Sequence, residues 1–242
     1  MAADECTFTG CAAEQRGAVC FTFDDYYGDN WLKAVPLFEK YNAHVTFFIF
    51  SEITPEKAEV MKKLKAAGHT VGLHTMTHRN AIPFIHEQSE DAYLAEEVIP
   101  QLDACREYGL EIHSFAYPNN LRDDDSDRML YPYFDHFRAG CGPSRKTLFY
   151  PRKNLPEKCY LGGTGIGTYY NSELSVLKAE LTHAAETGSL LVYFSHNIGP
   201  ADQIKPIDMR IDWLEELLAL ARKLNLDIIG FDEINATKTG MR

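Results

Sequence analysis

The sequence predicts an α/β fold, a parallel barrel of seven strands alternating with helices and formed as a single domain. Seven short apolar segments alternate with amphipathic ones along the 242 residues, which is the pattern of parallel strands and their covering helices. Polar residues that can carry chemistry follow the ends of several different segments. Only the C-terminal face of a parallel barrel collects so many strand ends, so a doubly wound sheet is the less favoured architecture.

The predicted strands are short runs of β-branched, aromatic and other apolar residues. They cover 18–24, 44–50, 70–74, 111–116, 136–139, 190–195 and 227–231. Amphipathic segments predict helices over 29–41, 54–68, 88–108, 172–186 and 208–224, and an acidic stretch from Asp123 begins another. Thr54 and Pro55 are typical of a helix start, and Gly68 is typical of a helix end. The segment 140–171, rich in Gly, Pro and Tyr, is predicted to be irregular.

Composition limits the classes of partner. The net charge of -11 argues against nucleic acid and against anionic membrane surfaces, because phosphate binding needs an excess of Lys and Arg. No apolar run approaches the ~18 residues of a membrane span, and the N-terminus shows no signal peptide. The chain therefore divides into an N-terminal leader over 1–16 and one domain over 17–242, while the oligomeric state stays open.

The six cysteines do not decide the cellular compartment. Cys6 and Cys11 lie in the polar leader and can form a local disulfide in an oxidising compartment. Cys20 lies inside the first strand, where a small buried hydrophobic residue is expected. An extracytoplasmic location, periplasmic or secreted with a signal removed, is favoured over a cytoplasmic one.

Two pairs of residues carry the chemical signal. Asp24 and Asp25 end the first strand, and His74 and His78 follow the third strand four residues apart. Adjacent carboxylates at the end of a buried strand are costly unless a cation compensates them. One carboxylate with two imidazoles leaves a coordination position open, as catalytic zinc sites do. Taken separately, the aspartates can cap a helix and the histidines can be ordinary polar residues, so the joint pattern is what predicts a metal site.

The residues then resemble a known family, the NodB-homology polysaccharide deacetylases of carbohydrate esterase family four. Thr22-Phe23-Asp24-Asp25-Tyr26 matches the family motif T-F-D-D-G except for the glycine. His74-Thr75-Met76-Thr77-His78 matches H-(S/T)-x-x-H fully, and Val192-Tyr193-Phe194-Ser195-His196 matches L-x-L-x-H loosely. The order and spacing agree over about residues 17 to 232. The resemblance implies a distorted (β/α)7 barrel of the NodB type, with 17–242 as its catalytic domain.

The resemblance also implies roles. Asp25, His74 and His78 would hold a divalent metal, usually Zn²⁺, with Asp24 as general base and His196 as general acid. Such a site hydrolyses an acetyl group on an N- or O-acetylated carbohydrate, because the metal activates water and polarises the acetyl carbonyl.

The resemblance implies a second set of roles in the loop after the fourth strand. The backbone N–H of Asn119 would stabilise the oxyanion, with Tyr117 and Pro118 beside the substrate. Aromatic residues in loops near the predicted active face can stack on sugar rings or simply pack the loops. They are Tyr26, Tyr27, Tyr117, Tyr169 and Tyr170.

The sequence departs from the family pattern at three places. The arginine that usually opens the third motif is replaced by Ala116, and we predict that Arg138, at the end of a neighbouring strand, supplies that charge to the base. The usual D-x-x-D-W motif is absent, so the carboxylate that would tune His196 is unidentified. Tyr26 replaces the motif glycine and should narrow or reshape the mouth of the site, where it can contact substrate.

Three functions remain open from the sequence. The first is a metal-dependent deacetylase acting on an acetylated glycan or oligosaccharide. The second is an amidase of the same fold acting on a small cyclic or linear amide, because a fold does not fix a substrate. The third is a carbohydrate-binding barrel that has lost turnover, which the missing arginine and the missing D-x-x-D-W favour. The complete set of base, metal ligands and acid argues for an enzyme.

Overall fold

The computed structural model describes residues 16–140 and 147–235 as one α/β barrel. Its strands are β1 (Ala18–Phe23), β2 (Thr46–Ile49), β3 (Thr70–Leu73), β4 (Ser114–Ala116), β5 (His136–Gly140), β6 (Phe149–Pro151), β7 (Cys159–Gly165), β8 (Ser189–Ser195), β9 (Ile198–Gly199), β10 (Met209–Arg210) and β11 (Asp227–Ile228). Strands β1, β2, β3, β4, β5, β7 and β8 pair in parallel in that order, and β8 pairs with β1 to close the ring. The predicted seven-stranded barrel is therefore confirmed.

Two short strands, β11 and β6, interrupt the pairing of the ring strands at the N-terminal end of the barrel. One edge of β1 pairs with β8 along its whole length, while the other edge pairs with β11 at Ala18 and Val19 and with β2 at Thr22 and Phe23. In the same way, β6 lies antiparallel to the start of β8, and β7 joins β8 only at Tyr193 and beyond. The ring is thus distorted where the strands begin and closed where they end.

The seven strands of the ring are not the seven that the sequence predicts. The segment 159–165, predicted to be irregular, forms β7, and the predicted strand 227–231 shrinks to β11 outside the ring. The sequence pattern does not predict β7, because its glycines have low strand propensity. A Cβ on Gly165 would lie 2.5 Å from Cγ of the Tyr170 ring, so this strand needs glycine for the ring to approach. After β11, Phe231 turns inward and is fully buried against Phe48.

The helices follow the predicted pattern closely. They are α1 (Gly28–Lys40), α2 (Pro55–Ala66), α3 (Ala81–Glu87), α4 (Glu90–Tyr93), α5 (Ile99–Glu107), α6 (Asp124–Leu130), α7 (Leu174–Thr187) and α8 (Ile211–Lys223). The Thr54 hydroxyl accepts the Lys57 N–H at 3.3 Å, and Gly68 ends the helix region with φ of 88°. The predicted helix over 88–108 is present, but a π-helical segment at Leu94–Val98 joins α4 to α5. Among the α-helices of the described residues, the sequence missed only the short α3.

Alternation along the strands separates two apolar cores. Strand residues that point outward, such as Phe23 and Phe47, pack against helix residues such as Trp31. Residues that point inward fill the barrel, and Cys20 and Phe48 are among them. Cys20 is buried with a free thiol, which confirms the expected role. The two leader cysteines, Cys6 and Cys11, lie outside the described residues. No helix within 16–140 or 147–235 is both long and apolar enough to cross a membrane.

Candidate active site

Asp24 lies at the C-terminal end of β1 on the inward face of the barrel, with only 3% of its surface exposed. Its N–H donates to the Ser195 carbonyl at 2.9 Å, which ties the ends of β1 and β8 together. Burial raises the pKa of the Asp24 carboxyl, but Arg138, with smaller electrostatic contributions from the His74 and His196 imidazoles, holds the pKa below its ordinary value. Asp24 is therefore an ionised, buried carboxylate.

Arg138 supplies the charge that keeps Asp24 ionised. Its side chain rises from β5 through the barrel interior, 1% exposed, and donates a hydrogen bond to Asp24 Oδ2. The guanidinium lies 5.4 Å from the Phe48 ring centre and 5.1 Å from that of Phe194, so two aromatic faces flank it. Its second terminal nitrogen donates to Asn120 Oδ1 at 2.6 Å. The structure thus brings together Asp24 and the arginine that the sequence assigns to it.

Asp25, His74 and His78 form a compact group of three possible metal ligands. One donor atom from each lies within 4.8 Å of the other two. The Nε2 atoms of His74 and His78 are 3.9 and 3.7 Å from Asp25 Oδ1. Burial raises the pKa of Asp25 above its ordinary value, and the Asp24 charge adds to this. These side chains therefore place a partly buried carboxylate against two imidazole nitrogens.

The imidazole of His74 is oriented for binding through Nε2. Its Nδ1 donates to the Ala116 carbonyl at 2.7 Å, so the lone pair of the neutral ring is on Nε2, facing Asp25. Burial lowers the pKa of His74 to about 3, which keeps the ring neutral. A metal ligand normally has its other nitrogen hydrogen-bonded in this way. The donor set fits a divalent metal.

His196 follows β8 and lies across from the two aspartates. The imidazole lies close enough to interact electrostatically with both Asp24 and Asp25. Its Nδ1 faces the Ile207 carbonyl at 3.1 Å, so a backbone oxygen orients the ring. The Trp31 indole N–H donates to the His196 carbonyl at 3.0 Å and fixes the start of the loop. The partner of His196 that the sequence left unidentified is therefore a carbonyl rather than a carboxylate.

The loop after β4 leaves Asn119 exposed but buries Tyr117 and Pro118. Asn119 and Asn120 have φ of 52° and 61°, which turns the backbone sharply at the end of the strand. The Asn119 side chain donates to Asn80 Oδ1 at 2.8 Å. Tyr117 is fully buried, and its hydroxyl donates to Asp127 at 2.7 Å. The Tyr117 ring is therefore a core anchor and cannot stack on a sugar, and Pro118 is buried beside it.

Two of the loop aromatics reach the edge of the site. Tyr26 is half-buried, packs edge-on against Trp31 at 6.0 Å, and has the Lys57 ammonium 4.9 Å from its ring centre. Burial raises the pKa of Tyr170, and the charges of Asp24 and Arg138 also act on it, which places this ring beside the base. Tyr169 packs against Tyr170 and is 69% exposed.

Sequence reasoning missed two buried carboxylates that hold site loops. Asp208 accepts the Asn197 and Lys205 N–H groups at 3.1 and 2.8 Å, so it shapes the loop whose Ile207 carbonyl faces His196. Glu97, 1% exposed, accepts the Thr77 N–H at 2.8 Å, inside the segment between His74 and His78. Neither residue belongs to one of the motifs above, and each holds a site segment that lies 11 to 20 residues away in sequence, Asp208 at Asn197 and Glu97 at Thr77.

Comparison with known proteins agrees with this geometry. A family model described as polysaccharide deacetylase matches residues 12–130. A peptidoglycan-N-acetylglucosamine deacetylase of Bacillus cereus is 30% identical over 91 residues, which are 36% of this chain and 33% of that protein. The match therefore spans about a third of that curated relative's length.

The chain belongs to the NodB-homology polysaccharide deacetylases of carbohydrate esterase family four.

Solved structures of this family share the fold of this chain at low sequence identity. The peptidoglycan deacetylase PdaC of Bacillus subtilis superposes with a TM-score of 0.60 at 12% identity, covering 93% of each chain. A family-four pseudoenzyme of Bacillus anthracis superposes with a TM-score of 0.59 at 12% identity, covering 91% of this chain and 66% of that one. Because the fold is shared by an enzyme and a pseudoenzyme, the site residues must decide between activity and its loss.

Proposed function

We propose that this protein is a metal-dependent hydrolase that removes acetyl groups from an N- or O-acetylated carbohydrate, cleaving a non-peptide carbon–nitrogen or an ester bond. The observation that carries this proposal is the group of Asp25, His74 and His78 directly beside the ionised, buried Asp24. A binding protein has no need of a buried base next to three metal ligands.

Asp25, His74 and His78 would hold a divalent metal, and Zn²⁺ suits two imidazoles and one carboxylate best. The bound metal would lower the pKa of a water molecule and polarise the acetyl carbonyl. The hydrogen bond from His74 Nδ1 to the Ala116 carbonyl supports this assignment, because it leaves Nε2 as the donor atom.

The other residues would handle protons and charge. Asp24 accepts a proton from the attacking water. Arg138 keeps Asp24 ionised and aligned between catalytic cycles. The backbone N–H of Asn119 donates to the oxygen that becomes negative as the carbonyl is attacked. His196, oriented through Nδ1 by the Ile207 carbonyl, protonates the departing amine or alcohol. Tyr26 contacts the substrate at the mouth, where the family motif has glycine.

The substrate class follows from charge and from the relatives. The net charge of -11 disfavours a strongly anionic polymer. The Bacillus cereus relative is a deacetylase of peptidoglycan N-acetylglucosamine, so glycans carrying that sugar are the first substrates to test. We propose the same extracytoplasmic setting for this chain, since such glycans lie outside the cytoplasm.

The test combines metal content with acetate release from a panel of N- and O-acetylated oligosaccharides before and after chelation. About one metal per chain and chelator-sensitive acetate release are expected, because three ligands form one site. Metal uptake without acetate release, but with hydrolysis of cyclic amides, would replace the proposal by an amidase. Metal uptake with neither activity would favour a carbohydrate-binding barrel. A chain that takes up no metal would contradict the proposal outright.

A further inference from the structure

The helix that runs from α4 through the π-helical segment into α5 carries polar side chains at four-residue intervals on its buried face. These are Tyr93, Glu97 and Gln101. In an α-helix, a four-residue spacing drifts around the axis, whereas the wider π turn at Leu94–Val98 reduces that drift. The π segment therefore helps to keep all three side chains on one line.

Each of the three side chains holds backbone next to the metal-ligand group. The Tyr93 hydroxyl donates to the Arg79 carbonyl at 3.2 Å, just after His78. The Gln101 amide donates to the Ser51 carbonyl at 2.7 Å, and the Ser51 N–H donates to the Thr75 carbonyl at 2.8 Å. The helix thus braces the chain on both sides of the ligand-bearing segment.

Glu97 makes the central contact of this brace. Its carboxylate accepts both the N–H and the hydroxyl of Thr77, and its own backbone carbonyl accepts the Met76 N–H at 3.0 Å. The Arg79 Nε lies 3.8 Å from Glu97 Oε1. Three donors of the segment between the two histidine ligands therefore converge on a single residue that lies outside every family motif.

The segment between the two histidines needs support, because its backbone conformation is energetically unfavourable. Thr75 has φ of 72° and His78 has φ of 61°, in the left-handed region that side chains other than glycine rarely adopt. Such conformations persist only where the surrounding structure enforces them. The turn brings the His78 ring to 4.8 Å from that of His74, centre to centre.

We propose that Glu97 is a positioning residue that fixes the Thr75–His78 turn and thereby presets His78 for metal binding. This inference rests on the proposed function for the metal itself. Removing a residue that orients metal ligands typically weakens metal affinity about 10- to 100-fold. The same range is expected when both oxygen acceptors of Glu97 are removed.

The experiment compares Glu97→Met, which removes both acceptors at similar size, with Glu97→Gln. Glutamine can still accept the Thr77 N–H and donate to the Thr77 hydroxyl, so it should restore affinity to within a few-fold of wild type. Glu96→Met is the matched control, since Glu96 is the neighbouring residue, also contacts Arg79 and is half exposed. The Zn²⁺ dissociation constant is measured by competition with a chromophoric chelator, and the Co²⁺ absorption spectrum reports the ligand geometry.

Metal-free protein provides a second readout. Amide hydrogen exchange at residues 75–78 should be faster in Glu97→Met than in Glu96→Met. If Glu97→Met does not fold, Thr77→Val and Thr77→Ser test the same contact, and only the valine variant should bind metal more weakly. Equal affinity in wild type and these variants, with unchanged exchange, would overturn the inference while leaving the proposed function intact. Failure of the wild type to bind metal would contradict the proposed function, and the exchange data would still decide whether Glu97 holds the turn.

Discussion

Ala116 and Arg138 are register partners on the neighbouring parallel strands β4 and β5. Ala116 stands where the family motif usually has arginine, and its small side chain leaves room inside the barrel for Arg138 to reach Asp24. The guanidinium thus reaches Asp24 from β5, the next strand of the ring after β4. Because the two positions are adjacent, the departure from the motif moves the charge without removing it.

Arg138→Ala should impair both stability and turnover. Removing one partner of a buried ion pair leaves Asp24 as an uncompensated charge, which costs about 3–5 kcal/mol of unfolding free energy. Acetate release should fall by at least about 100-fold, because the base is then poorly aligned. The pKa of Asp24 should rise, so the acidic limb of kcat/KM should move to higher pH. Denaturant unfolding and a pH–rate profile measure these effects, with the exposed Arg128→Ala as control.

The double variant Ala116→Arg with Arg138→Ala should recover part of the activity that Arg138→Ala loses. It returns the arginine to the strand where the family motif has it, one register step from its present place. The measurement is kcat/KM for the double variant relative to Arg138→Ala alone. A double variant that folds but is no more active than the single one would show that the charge cannot be exchanged between these strands.

Asp25→Asn should separate stability from metal binding. In metal-free protein, Asp25 is a partly buried carboxylate adjacent to the ionised Asp24, so removing its charge should raise the melting temperature at neutral pH. The same change should weaken metal affinity strongly, because an amide is a poor replacement for a carboxylate ligand. Thermal unfolding with and without metal measures both effects, and Asp202→Asn on an exposed turn is the control. A variant that loses stability without metal would contradict the prediction.

The motif residues of the site could be predicted from the sequence because each follows a recognisable strand end. Asp24, Asp25 and His74 needed only their local pattern, and Arg138 needed only its place at the end of the neighbouring strand. Tyr117 shows the limit of such reasoning, since a loop aromatic at the active face turned out to be fully buried. Whether the acid role of His196 and the identity of the metal are correct stays a prediction.

Two parts of the structure could not be predicted, for different physical reasons. Strand β7 has three glycines in seven residues, so propensity disfavours it, and the need for glycine at 165 comes from the Tyr170 ring that packs against it. Glu97 acts across 20 residues of sequence separation through a π turn, and no local pattern signals either feature. Tertiary contacts decided both.

His69 should make the protein less stable in mild acid. The ring is 4% exposed between Phe38 and Phe47, and its Nδ1 accepts the Val45 N–H at 3.3 Å. Burial lowers the pKa of His69 from 6.5 to about 4. The unfolded chain takes up the proton below pH 6.5, but the folded chain only near pH 4, so stability should fall by about 3 kcal/mol across that window.

Urea unfolding between pH 7 and pH 4 measures this effect as the difference between wild type and His69→Asn. Asparagine keeps an oxygen acceptor for the Val45 N–H but does not titrate, so its curve should be flatter by the His69 contribution. His74 adds a slope of the same sign to both proteins and cancels in the difference. The exposed His86→Asn is the control. Parallel curves for wild type and His69→Asn would show that His69 takes up its proton equally in both states.

Gly165→Ala should disturb the site more than Gly163→Ala, although both glycines lie in β7 and have equal strand propensity. A Cβ at 165 would lie 2.5 Å from the Tyr170 ring, whereas a Cβ at 163 would lie 3.2 Å from the nearest atom of Phe194. Overpacking of this kind typically costs about 1–3 kcal/mol, and at 165 it must displace the aromatic ring beside Asp24. Gly165→Ala combined with Tyr170→Ala should relieve the clash and restore stability. Equal losses in the two single variants would mean that glycine is needed in β7 for its backbone rather than for the space that Tyr170 occupies.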